Sequence, residues 1–432
     1  MDALKRWVNQ YYFQIVLFCL VLGTILRFLW PEDMEWKSEE LWMFEEAHRV
    51  AQGGFPLPPG GIMSSVGIPN PGMSLWCFAL IAKFTTTPIG MVQGIMFLNV
   101  VVLWCFFGFI VWQIPRMQQS IWLWGLAIAS VNPIAIIFSR KIWIPDLLAP
   151  FCLLCFLGHS FRQKFWGAFL WGCFSLCSGQ IHMSGLFLTV GLTLWTIWHD
   201  WRDKQLKKIA WSGWFLGSVV ASVPLIYWLI DAHSQLQRSA SSIVGLLVPK
   251  FYMQWLTTAI GVNLSISLKQ TFWSDFLQEP RFLGMSTYLM IPVHAFLLCI
   301  GLWSLYQMWQ NCRISRRNQK IEQATIPNSS IKDYIQALGF GLGGIFTITA
   351  TDVIPHYVPI TFPFPFLWLA NIHHRRPHIL LLIVLMQLWI SITFLQFIHD
   401  NDGCENCDYG RTYRSNKVEF QSYLKTTPEI FR

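Results

Sequence analysis

Apolar stretches of bilayer-crossing length recur along this 432-residue chain, separated by short polar breaks. A hydrocarbon layer of ~30 Å requires about 17–25 predominantly apolar residues per helix. The expected fold class is therefore an all-α polytopic membrane protein. Eleven spans are expected, at 10–30, 88–112, 120–138, 145–160, 165–179, 182–198, 209–230, 284–308, 334–352, 356–371 and 378–398. Composition agrees, since 54% of the residues are hydrophobic and 24 are Trp, more than a soluble core needs. The first stretch, "YYFQIVLFCLVLGTILRFLW", is too long for a signal-peptide core and has no small-residue cleavage site after it, so it reads as a retained helix.

Basic residues orient the bundle. Lys5 and Arg6, Arg116, "FRQK", "WRDKQLKK", "NCRISRRNQK" and "HHRRPH" fall in alternate loops, the pattern of cytoplasmic loops. The net charge of +8 is spread over these short loops and forms no single patch, which argues against nucleic acid as a partner. The other face receives the first exoplasmic loop 31–84, in which 71–84 is apolar but too short to span and reads as a juxtamembrane helix. It also receives the turns "SRKIWIP" and "SGQIH", the long loop 231–283, the turn "TDVIPH" with Asp352, and the tail. The long loop is rich in Trp, Phe and Tyr, which suits interfacial helices that shape an entrance or cap the bundle. Residues 1–398 thus form one transmembrane module, and the tail 399–432 is too short to bury a core of its own.

Residues able to do chemistry gather on the exoplasmic face, while the cytoplasmic loops carry only orientation charges. Seven of the chain's 23 carboxylates lie in "PEDMEWKSEELWMFEEAH", residues 31–48. With Ser38 as N-cap, a helix to about Gln52 places Met43, Phe44, Ala47, Val50 and Ala51 on one face. Glu40 projects from the middle of that face and Glu39 from its edge. Two readings stand: acidic residues in a first turn complement the helix dipole, worth roughly a few tenths of a kcal/mol. Alternatively, the apolar face delivers these carboxylates to a cavity, where partial burial raises a carboxylate toward a useful base.

Four segments carry a family resemblance. Arg27, Glu39-Glu40, Ala47 and Gly53-Gly54 resemble the first exoplasmic loop of GT-C glycosyltransferases, in the branch of protein O-mannosyltransferases, aminoarabinose transferases and Rgt-like enzymes. "NPIAIIFSRKIWIPDLLAPF" resembles the family's third span and second exoplasmic loop, with Asp146 opening the next helix. "CSGQIHMSGLF" resembles a Gln-x-His turn, here Gln180 and His182. "PHYVPITFPFPFLWLA" resembles the late motif of a basic residue and Tyr before Pro, here His356, Tyr357 and Pro363.

The resemblance implies a GT-C bundle of about eleven transmembrane helices covering roughly residues 10–400, and no large soluble domain is expected, since the C-terminal one of some relatives has no counterpart in the 34 residues after 398. It implies transfer of a sugar from a polyprenyl-phosphate donor to an acceptor hydroxyl of a glycan, lipid or protein at the exoplasmic face. Glu39, Glu40 and Asp146 are then the catalytic candidates, the first-loop carboxylate acting as general base. Arg140, Lys141, Gln180, His182, His356 and Tyr357 are the substrate-binding candidates, with the basic and tyrosine side chains facing the leaving phosphate. Two positions depart from the family: Glu39 stands where Asp is usual and His356 where Arg or Lys is usual. Glu40, Asp33 and Glu35 therefore share the candidacy for the base. Rgt-like relatives imply a bacterial inner membrane, with the N-terminus cytoplasmic and the active site periplasmic. The sequon at Asn263 would suit an endoplasmic reticulum lumen.

Bland readings accompany each candidate. His182 can be a hydrogen-bonded interior residue, and Asp146 can serve a helix dipole. The acidic pair with Asp146 can hold a divalent cation through oxygen ligands. Gly339, Gly341, Gly343 and Gly344 suit close helix packing. Most cysteines fall inside spans, whereas Cys404 and Cys407 in "GCENCDYG" stand where a local disulfide can form. Two other functions remain open: a transporter or flippase for a lipid-linked or amphipathic solute, and an inactive scaffold. A transporter favours mid-span charges and an internal repeat, and neither is present in the sequence.

Overall fold

Long apolar runs entered through proline become two of the straightest readings of sequence into structure. Pro cannot donate an amide hydrogen bond, a defect that is harmless in a first turn. The computed structural model describes residues 2–53, 56–64, 67–202, 208–239, 249–317, 329–349, 353–404 and 406–418. Its helices are α1 Asp2–Phe28, α2 Ser38–Gly53, α3 Met73–Ala82, α4 Pro88–Gln113, α5 Arg116–Val131, α6 Pro133–Ile137, α7 Leu148–Ser160, α8 Phe165–Ile181 and α9 Ser184–Arg202. There follow α10 Trp211–Ser239, α11 Lys250–Ile260, α12 Leu264–Leu268, α13 Gln270–Ser274, α14 Met290–Arg317, α15 Ser329–Gln336, α16 Gly343–Ile348, α17 Phe364–His373 and α18 Pro377–Asp400. Pro88 and Pro377 open α4 and α18, and the Thr87 hydroxyl caps α4 by accepting from the Gly90 amide at 3.1 Å.

Among the described residues the fold is all-α, with no large soluble domain. Among the described residues, five helices are long and apolar enough to cross a membrane: Leu4–Phe28, Pro88–Gln113, Trp211–Ala232, Met290–Asn311 and Pro377–Asp400. Other expected spans coincide with shorter or interrupted helices. Over 334–352 the end of α15 passes through a π-helical stretch, Ala337–Leu342, into α16. Over 356–371, a 3₁₀ segment, Pro355–Thr361, which contains Pro359, gives way at Pro363 to α17. The 71–84 segment forms only the ten-residue α3, which packs on α2. Three antiparallel two-stranded pairs complete the described chain, the last joining Gly403–Cys404 to Gly410–Arg411.

One hydrophobic cluster runs through the bundle, with α1 against α5 and α18, and α8 between α7 and α10. The glycine run at 339–344 divides in use. A Cβ on Gly341 would stand 2.4 Å from the Gly191 carbonyl oxygen, so α9 and the π-helical stretch touch backbone to backbone. By contrast Gly339 and Gly344 face open space. Gly341→Ala is accordingly expected to destabilise the protein by about 1–3 kcal/mol through overpacking, seen as a lower thermal midpoint. Gly344→Ala should leave the midpoint unchanged.

At the Phe165 end of α8, Arg162 of the "FRQK" loop donates from Nε and Nη2 to Asp200 at 3.0 and 3.1 Å and faces Asp333 at 3.8 Å. His199 lies between the same two carboxylates. Thus a loop expected to carry orientation charge alone also clamps α9 and α15 through a buried ion network.

Candidate active site

The opposite end of α8 meets the acidic segment. Beyond α1 the chain turns through Trp30, whose φ is 47°, into a 3₁₀ turn at Pro31–Asp33. Helix α2 then begins at Ser38, so the cap falls on Lys37, one residue before the expected one. The Lys37 carbonyl accepts the first helical bond from Leu41, and the Glu40 carboxylate reaches back to the Lys37 amide at 3.0 Å. This is the return half of a capping box. It turns Glu40 inward to 3% exposure, beside Met43, Phe44 and Ala47, and leaves Glu39 exposed. The two adjacent candidates therefore occupy different environments.

Glu35 is buried and forms ion pairs with both Lys37 and Lys141. Asp146, in the 3₁₀ turn Ile144–Leu147, accepts from the Lys141 amide through Oδ2 at 2.9 Å, and its carbonyl accepts from Asn99 at 2.9 Å. Its second carboxylate oxygen is buried and has no hydrogen-bond partner among the described residues. Lys141 thus feels Glu35, Glu40 and Asp146 together. Burial works hardest against its charge, but Glu35, Glu40 and Asp146 together outweigh it and hold the ammonium above its usual pKa. Burial, reinforced by Glu35 and partly offset by Lys141, pushes Glu40 up to about 7. A carboxylate poised there changes protonation state near neutrality, as a general base must.

Aromatic rings extend the site. The Lys141 Nζ lies 5.2 Å from the Trp143 ring centre, 5.5 Å from that of Tyr409 and 6.0 Å from that of Phe138. From Trp143 a chain of ring contacts runs to His356 at 4.9 Å, on to His182 at 5.7 Å, and from His182 to Tyr357 at 5.3 Å. His182 also pairs with the Ser184 hydroxyl at 2.6 Å. Beside this lies a groove whose apolar walls include Phe138, Pro145, Ala149, Val358 and Pro359.

Besides exposed Glu39, two substrate-binding candidates are not brought into the cluster. Arg140 donates to the carbonyls of Leu26 at 2.8 Å, Arg27 at 3.1 Å and Trp30 at 2.9 Å, and also to that of Leu29, so its guanidinium is consumed in closing α1. Gln180 donates to the Ala221 carbonyl at 2.7 Å and ties α8 to α10. Arg27 likewise serves structure, donating to Ser130 at 2.7 Å. Asp352 lies outside the described residues. Asn263 is 1% exposed and donates to Thr258 at 2.6 Å, so it is no surface acceptor.

The tail supplies residues that pattern reading missed. Cys404 and Cys407 are disulfide-bonded. The following stretch lies along the acidic loop: the Trp36 amide donates to Arg411 at 3.1 Å and the Tyr413 amide to Met34 at 2.9 Å. His399 pairs with Asp33 at 2.6 Å and stacks on Trp30 with ring centres 4.0 Å apart, while Arg414 faces Asp33 at 3.4 Å. Burial pushes the Tyr409 phenol up, keeping it a neutral donor, and its hydroxyl donates a hydrogen bond to the Asp33 carbonyl at 2.6 Å.

Among the described residues, the group of His, Asp and Glu atoms with metal-ligand spacing is not the acidic pair with Asp146. It is His199, Asp200 and Asp333, whose ligand atoms lie within 4.8 Å of one another and whose carboxylates already face Arg162. Comparison with protein-family models, curated proteins and solved structures yields no match.

Proposed function

We propose that the protein is a GT-C-type membrane glycosyltransferase that moves a sugar from a polyprenyl-phosphate donor to an acceptor hydroxyl at the exoplasmic face. The observation that carries this reading is a buried carboxylate poised near neutrality, Glu40, in the same charge cluster as a buried ammonium, Lys141, with an apolar groove alongside. In this reading the polyprenyl chain stays in the groove and lipid, and its phosphate lies toward Lys141. The acceptor oxygen bonds to the anomeric carbon as the bond from that carbon to the phosphate oxygen breaks. Glu40 takes the acceptor proton, and the polyprenyl phosphate leaves with charge that Lys141 offsets. Asp146 holds the Lys141 backbone in place, and His182, His356 and Tyr357 line the sugar's side. The arrangement of about eleven spans, a cytoplasmic N-terminus and a bacterial inner membrane belongs to the same proposal.

Purified protein in lipid nanodiscs, given a panel of labelled polyprenyl-phosphate sugars and native lipid extract, should release polyprenyl phosphate in a sugar-dependent manner. Lipid binding without release from any donor would overturn the transferase reading in favour of a flippase or scaffold.

A further inference from the structure

Lys141 is walled by three rings, and they differ in origin. Phe138 and Trp143 belong to the same short connection as Lys141, so they move with it. Tyr409 arrives from the C-terminal tail. It is 3% exposed, and every part of it is held: the phenol donates to the Asp33 carbonyl at 2.6 Å, the amide donates to the Ser267 carbonyl at 3.2 Å, and the ring meets Phe394 edge-on with centres 5.7 Å apart. The next residue, Gly410, has φ 69°, a left-handed conformation that side chains disfavour, and this lets the chain double back to pair with Gly403–Cys404. One residue therefore joins the tail, the acidic loop, the long loop and the lysine.

We infer that Tyr409 is a positioning residue, its ring fixing the direction of the Lys141 ammonium so that a lipid-linked phosphate is met by a pre-aimed cation. This rests on the transferase reading. An ammonium near an aromatic face is attracted by the ring quadrupole, and the attraction grows where water is excluded. Glu35 is already ion-paired with the same ammonium. With the ring in place Lys141 is held between carboxylate and aromatic wall. Without it, Lys141 keeps its ion pair with Glu35 but loses one wall of its ring cage, so the ammonium is no longer aimed at an incoming anion. The ring provides the effect and the hydroxyl anchors the ring, so conservative and drastic substitutions should separate.

The test uses full-length protein in nanodiscs with polyprenyl monophosphate as the binding probe, followed through intrinsic Trp fluorescence, and sugar release as the kinetic readout. Tyr409→Leu is expected to weaken probe binding and raise KM by roughly ten- to thirtyfold, with kcat falling much less. Tyr409→Phe and Tyr409→Trp should restore both to within about threefold of wild type. Thermal midpoints for all variants identify loss by misfolding, which would lower kcat and active fraction together. If wild type binds and turns over but Tyr409→Leu keeps the wild-type KM, the positioning role is overturned and the transferase reading stands. If Tyr409→Leu misfolds and Tyr409→Phe also loses binding at an unchanged midpoint, the ring is not the operative part and the inference fails. If wild type neither binds the probe nor releases sugar, the transferase reading falls and the inference falls with it.

Discussion

In the proposed transferase, Glu40→Gln is expected to slow sugar transfer by about 10²–10⁴-fold, the usual contribution of a positioned general base, while the protein remains folded. Glu39→Gln should stay close to wild type, because that carboxylate is exposed and its neighbour is the one facing the cluster. The amide oxygen of Gln can still accept the Lys37 amide bond, so the helix cap survives the substitution. The pH profile supplies an independent check. A base must be deprotonated to act, so with Glu40 held at about 7 the rate should rise as pH increases through about 7 and be suppressed below it. Stability should run the other way. The unfolded chain releases this proton near the ordinary value of 4.5 and the fold near 7, so the fold binds more protons between them and loses stability as pH rises through that window. Gln carries no such penalty, and the thermal midpoint of Glu40→Gln at pH above about 7 should equal or exceed that of wild type. A variant that is both inactive and no less stable is hard to explain by damage to the fold. Full activity in Glu40→Gln would move the base role to Glu35 or Asp33.

The contrast between Glu39 and Glu40 also shows what was readable in the sequence. Helical rotation placed Glu40 at the centre of the apolar face and Glu39 at its edge, and burial follows that order. Residue-type patterns also locate α4 and α18 to within a residue or two, because apolar length and an opening proline both act locally. Patterns failed where the decisive partner is distant. Arg140 looked like an anion-binding group, yet its five donors suit a cluster of carbonyls as well, and only the fold shows the end of α1 beside it. Tyr409, His399 and Arg414 had no signal at all. The tail reaches the acidic loop largely through backbone pairing between 34–36 and 411–413, and such pairing selects no side chain. Likewise Pro359 and Pro363 were visible, but an apolar-length criterion counts through them where backbone geometry cannot.

The second large effect concerns the cation at the centre. Lys141→Met should abolish binding of polyprenyl phosphate and destabilise the protein by about 3–5 kcal/mol, the range for removing one partner of a buried ion pair. The direction follows from the company Lys141 keeps. Glu35 is 4% exposed and Asp146 is 1% exposed, and neither has bulk water to fall back on once the ammonium is gone. Lys37 remains near Glu35, but it is the more exposed partner and feels less of the buried field. The double substitution Lys141→Met with Glu35→Gln discriminates stability from function. Removing both charges takes away the Glu35 share of the penalty while Asp146 keeps its bond from the Lys141 amide, so much of the lost stability should return, while binding of the phosphate should not, since the cation that offsets it is still absent. Thermal unfolding and probe binding on the same nanodisc samples measure the two quantities separately. If the double variant regains binding along with stability, Lys141 serves only to neutralise Glu35, and the phosphate would have to be met elsewhere. If binding stays lost in a protein restored to its wild-type midpoint, the buried carboxylates are the means by which the fold keeps one ammonium charged, oriented and available beside the groove.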